Sequence, residues 1–435
     1  MRRIACLSLL LLATALHAQR PAAAPPQKGT VLVIGATAHI GNGQVISNSA
    51  LVFEQGKLTL VADASVVGAN RSNYGQVVEA SGMHAYPGFI ATDSRLGLVE
   101  VDAVRATQDF AETGDLNPNA RAIIAYNTDS EVIPTVRSNG VLLAQIAPTG
   151  GSISGTSSIV QLDAWNWEDA ALRMEDGLHL YWPTPRPPQA ETGRMGRGQV
   201  EQDRPAKDPY QDQVQLLEAF FVEAKAYCNQ PIAARSNPRF EAMRGLFAQS
   251  QQLYIAASTP RAIMESVLFA EKHGIKPVVK GGEGALEVAD FLVQHQVPVI
   301  LAKTHRLPGN PDSPIDQPFT LPAQLHQKGV RFCIAEDGGW RQRNLPFQAG
   351  HAVGYGLPYE AAIGALTLEA AVILGIADRV GSLEAGKDAT FFLSKGDALD
   401  MRTNQVTAAF IQGRQIDLDN KQKVLYRTYE AKYRQ

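Results

Sequence analysis

The sequence predicts an α/β fold: a run of βα units with a small sheet module added from both chain ends. Three observations predict it. Short β-rich stretches separated by glycine turns fill residues 29 to 86, strands alternate with helical stretches after Tyr86-Pro87-Gly88, and strand patterns return near the C-terminus. The 435 residues are 45% hydrophobic and 19% charged, apolar enough for a packed core. The length suits two or three domains, or one barrel with an added sheet. Lys plus Arg is 40 against 43 for Asp plus Glu, a net charge of -3. Without a basic footprint, nucleic-acid binding is disfavoured.

The chain opens MRRIACLSLLLLATALHAQ, in which Arg2 and Arg3 precede an apolar run from Ile4 to about Ala15 and the small residue Ala18 follows. This pattern is that of a secretory signal peptide cut near Ala18, because the run is shorter than the ~20 residues a bilayer span needs. A periplasmic or extracellular address is therefore expected, with no membrane partner. Cys228 and Cys333 remain after the leader, too few for a disulfide framework.

Elements follow in order. Val31 to Gly35, Ala50 to Phe53, Leu58 to Val61 and Gln76 to Glu79 are expected strands, with Gly56, Gly68, Asn73 and Gly75 between them. The first, VLVIGATAHIG, lacks the middle glycine of G-x-G-x-x-G, and Asn42 to Ile46 continues as turn and strand where a dinucleotide site needs a helix. Gly140 to Ala147 is an apolar strand leading into the loop PTGGSISG, whose spacing is not that of a G-x-S-x-G nucleophile elbow. Strand Gln252 to Ala257 leads through Ser258-Thr259-Pro260, a helix-start signal, into helix Arg261 to His273, which ends at Gly274. Strand Lys276 to Val279, helix Ala285 to Gln294, strand Val297 to Ala302 and strand Val330 to Ala335 complete the run. Residues 182 to 210 interrupt it with six prolines among scattered charges and read as an inserted loop. Trp165, Trp167, Tyr181 and Trp182 beside it are expected to be packing residues.

Three stretches resemble the amidohydrolase superfamily, and within it the imidazolonepropionase-like amidohydrolases. They are AYPGFIATDSRLGL, GYGLPYEAAIGALTLEAAVILGI and the closing RVGSLEAGKDATFFLSKGDALDMRTNQVTAAFIQGRQIDL. The resemblance implies a (β/α)8 TIM-type barrel over 87–375, carrying the 182–210 insert, with its site at the C-terminal strand ends. It also implies a composite β-sandwich from 29–86 plus 376–418, behind a leader at 1–18. The activity implied is hydrolysis of carbon–nitrogen bonds other than peptide bonds, with water activated by a divalent metal such as zinc.

In the family, a His-x-His pair ends the first strand, single histidines end the fifth and sixth, and an Asp ends the eighth. Here the pair falls on Asp93-Ser94-Arg95, the fifth-strand histidine near Ala256 and Ser258, and the sixth at about Gly281 beside Lys280. Only the eighth-strand acid survives, as Asp337, with Glu336 next to it. Arg95 has no lone pair to offer a metal. His305 is the one histidine at an expected strand mouth, while His179, His273, His295, His326 and His351 read as surface or satisfied core residues. Asp93, His305 and Asp337 are the remaining candidates for a metal.

Two readings result. In the first, a secreted amidohydrolase uses Asp337 as proton shuttle or ligand, His305 as acid or base and Arg95 as clamp, with Asp93, Lys280, Glu283, Glu336 and Arg341 as substrate-binding neighbours. Arg95 is placed to pair with Asp337 or to grip a ligand carboxylate. In the second, a catalytically silent barrel binds a small molecule or pairs with an active relative or a second copy. The expected partner is a small-molecule substrate or ligand in both.

Overall fold

The computed structural model describes residues 23–68, 71–185, 209–230, 235–309 and 312–434. The expected leader at 1–18 and residues 186–208 of the expected insert lie outside the described residues.

The N-terminal strands are β1 (Val31–His39), β2 (Val45–Glu54), β3 (Lys57–Asp63), β4 (Gln76–Glu79) and β5 (His84–Pro87). The barrel strands are β6 (Phe89–Ser94), β7 (Val141–Ile146), β8 (Ile153–Gln161), β9 (Ala171–Tyr181), β10 (Gln252–Ala257), β11 (Pro277–Gly281), β12 (Val299–Leu301) and β13 (Phe332–Ile334). β14 (Phe391–Ser394), β15 (Val406–Ile411) and β16 (Arg414–Gln415) end the series.

One eight-stranded sheet joins both chain ends, in the order β16-β15-β14-β5-β1-β2-β3 with β4 also on β1. β1 is central, and its unbroken apolar run is explained by burial on both faces: Val31 and Val33 enter one core, Leu32 and Ile34 another. Gly35, at φ +93°, occupies a register slip in the β1–β2 ladder, where a Cβ would come 2.6 Å from Ser81 Oγ. The glycine that imitates a nucleotide loop is thus a bulge residue.

The second sheet is a nearly closed eight-stranded barrel in simple chain order from β6 to β13. Its interior is filled, as side chains from alternate positions must fill a small barrel: Ile90, Leu143, Ile159, Tyr254, Val278, Ile300 and Cys333 pack together. Ala370, Ala371, Ile373 and Leu374 belong to the same cluster. Thr92 Oγ1 lies 3.7 Å from Cys333 Sγ across the seam between β6 and β13.

The barrel departs from the expected all-parallel order at one strand. β8 runs antiparallel to both β7 and β9, while the other barrel pairs are parallel. The connections explain it. Six residues join β7 to β8, and a short helix, Trp167–Ala170, lies between β8 and β9, whereas a parallel return needs about a dozen residues or more. The expected loop PTGGSISG is therefore corrected: its last three residues, Ile153 to Gly155, open strand β8.

Aromatic rings stitch the sheet to the barrel. Phe392 of β14 packs on Tyr86 at 5.3 Å and on Phe89 at 5.0 Å between ring centroids. Gly140, at φ +89°, passes beneath this ring, where a Cβ would approach Phe392 to 2.5 Å.

Candidate functional site

The charged strand-end residues gather at the C-terminal end of the barrel. Asp93 closes β6 with φ +50°, and the β6–β7 register slips between Ala91 and Ser94. Its backbone N–H donates to Gln145 Oε1 at 3.0 Å. An aspartate tolerates this left-handed conformation at modest cost. The Asp93 carboxylate accepts from the Lys280 ammonium of β11 at 2.7 Å, and Lys280 also donates to His179 Nδ1 of β9 at 2.9 Å. Because an ammonium only donates, Nδ1 is the acceptor and the ring proton sits on Nε2. That Nε2 is buried and has no hydrogen-bond partner among the described residues. Burial, reinforced by the Lys280 charge, holds His179 well below the usual histidine range, so the ring is neutral.

Beneath this trio lies a buried polar layer. Asp176 of β9 accepts from Tyr254 Oη at 2.7 Å, Ser157 Oγ at 2.8 Å and Gln145 Nε2 at 2.8 Å. Its pKa is raised because burial outweighs these three bonds. Gln145 thereby links the Asp176 layer to the backbone of Asp93, and Tyr254 stacks on His179 at 4.9 Å. The layer fixes the position of the trio above it.

The second group follows β13. Glu336 is 3% exposed, and its Oε2 accepts from Gln348 Nε2 while Oε1 makes no hydrogen bond among the described residues. Burial, then the adjoining Asp337 carboxylate, pushes the Glu336 pKa up to about 8. Asp337 moves the other way. Partial desolvation of this largely exposed carboxyl opposes its ionisation, but Lys303 Nζ at 2.8 and 3.0 Å and the Arg341 charge nearby hold it below the ordinary value. Arg341 Nη2 is 3.2 Å from Asp337 Oδ1, and its Nε is 3.7 Å from Glu336 Oε1. Gln348 also accepts from Thr304 N at 2.6 Å, clamping the loop after β12 to the Glu336 loop.

Several expectations are corrected. Arg95 does not pair with Asp337, whose partners are Lys303 and Arg341; the Arg95 guanidinium instead lies 5.0 Å from the Phe110 ring. His305 joins neither carboxylate group. Its ring sits 5.1 Å from His351, and both line a cavity of about 320 Å³ with Tyr359, Asp397 and Asp400. Glu283 pairs with Arg306 at 3.2 Å, which answers its charge locally. His179, read from the sequence as a surface or satisfied core residue, is a fully buried strand residue bonded to Lys280 of the site. The alternation in LHLY, which puts His179 and Tyr181 on one face of a strand, was the signal for it. Tyr181 accordingly meets the Lys280 ammonium, 5.4 Å from its ring, and is no mere packing aromatic.

The metal implied by the resemblance does not fit these residues. Asp93, His305 and Asp337 fall into three separate clusters, and no group of three or more His, Cys, Asp or Glu side chains suited to a metal gathers among the described residues. Where Asp93 and His179 converge, the Lys280 ammonium lies between them and takes the lone pair that a cation would need. A larger cavity, about 870 Å³, opens at the opposite end of the barrel, along Gln252, Lys276, Pro277 and Pro298, and shares none of these charged groups. The charged groups described above thus lie at the strand C-termini, the end at which barrels generally carry their sites.

Residues 238–416 match the amidohydrolase family model. Among solved structures the chain is similar to an amidohydrolase from Thermotoga maritima MSB8, with 19% identity and a TM-score of 0.73 over 89% of this chain and 99% of that one. It is also similar to molinate hydrolase (15% identity, TM-score 0.55, 90% of this chain and 95% of that one) and to phenylurea hydrolase B (15%, 0.53, 89% and 97%). These likenesses establish a shared fold. No curated protein matches the sequence.

Proposed function

We propose that this chain, with an amidohydrolase-family domain over residues 238–416, is an imidazolonepropionase-like hydrolase of carbon–nitrogen bonds other than peptide bonds, working by acid–base catalysis without a divalent metal. The opposed shifts of Glu336 and Asp337 carry this reading. Two adjacent carboxyls held in opposite protonation states near neutral pH supply an acid and a base together. In the proposed step, a water oxygen attacks the carbonyl carbon and gives its proton to Asp337. The carbon–nitrogen bond breaks as Glu336 passes its proton to the leaving nitrogen. Lys303 and Arg341 keep Asp337 ionised and orient it.

The test is hydrolysis of a panel of N-acyl amino acids, cyclic amides and ureas by full-length protein dialysed against EDTA. Turnover of at least one class is expected, unchanged within about twofold by chelator. Absence of turnover on the whole panel, with or without added zinc or manganese, sinks the proposal.

A second reading, a silent barrel that binds a small molecule or pairs with a related amidohydrolase, is favoured by one observation: the Lys280 ammonium occupies the space between Asp93 and His179. Purification from the native source as a lone, ligand-free monomer counts against it. Export is proposed from the leader pattern at residues 1–18. N-terminal sequencing of the native protein is expected to begin at about residue 19, whereas an intact Met1 would refute cleavage.

A further inference from the structure

We infer that the side of the barrel mouth formed by β6, β9 and β11 is a carboxylate subsite, so that the molecule taken up carries a carboxylate beside the bond to be broken. This deepens the hydrolase reading and rests on it only for the identity of that bond. The Lys280 ammonium has three N–H groups. Two go to Asp93 and His179, and the third has no protein acceptor among the described residues. The Arg95 side chain makes no ion pair or hydrogen bond among the described residues; its contact is the Phe110 ring at 5.0 Å, which leaves its five donors open. The Lys280 ammonium lies 5.4 Å from the Tyr181 ring, and Arg95 follows directly on β6, two residues after Asp93, the carboxylate that Lys280 holds.

The other half of the mouth repeats the imbalance. Lys303 and Arg341 share the one ionised carboxylate of Asp337, because Glu336 keeps its proton below about pH 8. Across the two clusters four cations, Lys280, Arg95, Lys303 and Arg341, are set against Asp93 and Asp337, on a chain whose net charge is -3. This local excess of positive charge against the overall sign is the electrostatic footprint of an anionic ligand. The shape of the donors selects the anion. A planar guanidinium beside a point-charge ammonium matches a carboxylate, with one oxygen accepting from Arg95 and the other from Lys280. Burial strengthens the second contact, since Lys280 is 3% exposed.

The experiment uses the full-length protein and matched probe pairs: benzoate, N-acetylglycine and N-acetylphenylalanine, each against its own primary amide, by calorimetry and thermal shift, with inorganic phosphate as a further arm. At least one carboxylate is expected to bind about ten times or more tightly than its amide. Arg95→Met is expected to weaken that carboxylate about tenfold and leave the amide unchanged. Lys280→Met is expected to act likewise, and Arg95→Met remains decisive if that buried variant does not fold. No preference for any carboxylate over its amide, a preference that survives Arg95→Met, or tighter binding of phosphate would each overturn the inference. Failure of the two proposals is separable. Carboxylate preference without turnover removes the hydrolase reading alone, and turnover of neutral amides without such preference removes this one alone.

Discussion

Replacing Asp163 with alanine is expected to lower the unfolding free energy by about 3–5 kcal/mol, the range for removing one partner of a buried ion pair. Asp163 sits two residues past β8 and is 5% exposed. It accepts from Arg137 Nη1 at 2.6 Å, from Arg414 Nη1 at 2.7 Å and from the Ala24 backbone at 2.9 Å. Arg137 belongs to a helix beside the barrel, Arg414 to the last strand of the shared sheet and Ala24 to the start of the described chain. One carboxylate therefore ties three distant parts of the chain together. Alanine leaves the 6%-exposed Arg137 without its counter-charge, and its remaining bond to the Leu162 carbonyl at 3.1 Å does not supply one. Asp163→Asn keeps an acceptor at this position and is expected to cost less than alanine. Urea unfolding at neutral pH reads the effect, with Asp290→Ala as control, because the Lys328–Asp290 pair is exposed and spans 3.5 Å. A loss for Asp163→Ala no larger than the control's would show that the three contacts are not coupled to global folding.

What could be read from the sequence divides along a physical line. Local periodicity and turn chemistry reveal β10, β11, β12, β13 and the helical stretches after β10 and β11, though not the helix Gln317–Gln327 between β12 and β13, because each strand is an apolar run bounded by glycine, proline or a capping residue. The expected helix Arg261 to His273 is observed as Pro260–Lys272 with Thr259 capping Ala262 N at 3.2 Å. Strand direction is a different matter. Antiparallel β8 is set by the length of its connections, and its Gly155, at φ +131°, reads as a loop residue although it lies in the strand because a Cβ would come 2.4 Å from the Ala120 carbonyl oxygen. The site shows the same division. Asp93, Lys280, Glu336 and Asp337 were legible because they end strands. Partnership was not. The ammonium that answers Asp93 is 187 residues away, and Asp337 is answered by Lys303, a residue with no distinguishing neighbourhood in the sequence. His179 escaped because a lone histidine between leucines carries the same pattern whether it is core or ligand.

Asp337→Asn is expected to lower kcat/KM by about 10²- to 10⁴-fold, the usual contribution of a positioned general base, while leaving the fold intact because Asp337 is exposed. Glu336→Gln is expected to reduce the rate comparably and, in addition, to change how stability depends on pH. In the folded protein Glu336 titrates near 8, against an ordinary value of 4.5. Between those two values the native state holds a proton that the unfolded state has released, so raising the pH disfavours folding. Its contribution is complete below about pH 4.5 and is lost as pH rises through about 8, with a slope of at most about 1.4 kcal/mol per pH unit. Asp337 acts in the opposite sense, since its lowered value adds stability above its ordinary 3.8 that disappears only as the pH falls further. Of these two carboxyls only Glu336 therefore acts across about pH 5 to 8, and Lys303, Arg341, Asp337 and Gln348 are the groups that set its behaviour. The histidines His84, His179, His273 and His305, with lowered values, favour folding as pH rises, but they are common to both proteins and cancel when the two are compared. Urea midpoints measured from about pH 5 to 8.5 should therefore decline in the unsubstituted protein relative to Glu336→Gln. The alkaline limb of kcat/KM should fall near the same pH and vanish with the same substitution. A proton held for structure alone would shift the stability profile but leave that limb in place, so the two measurements together separate a buried packing acid from a catalytic one.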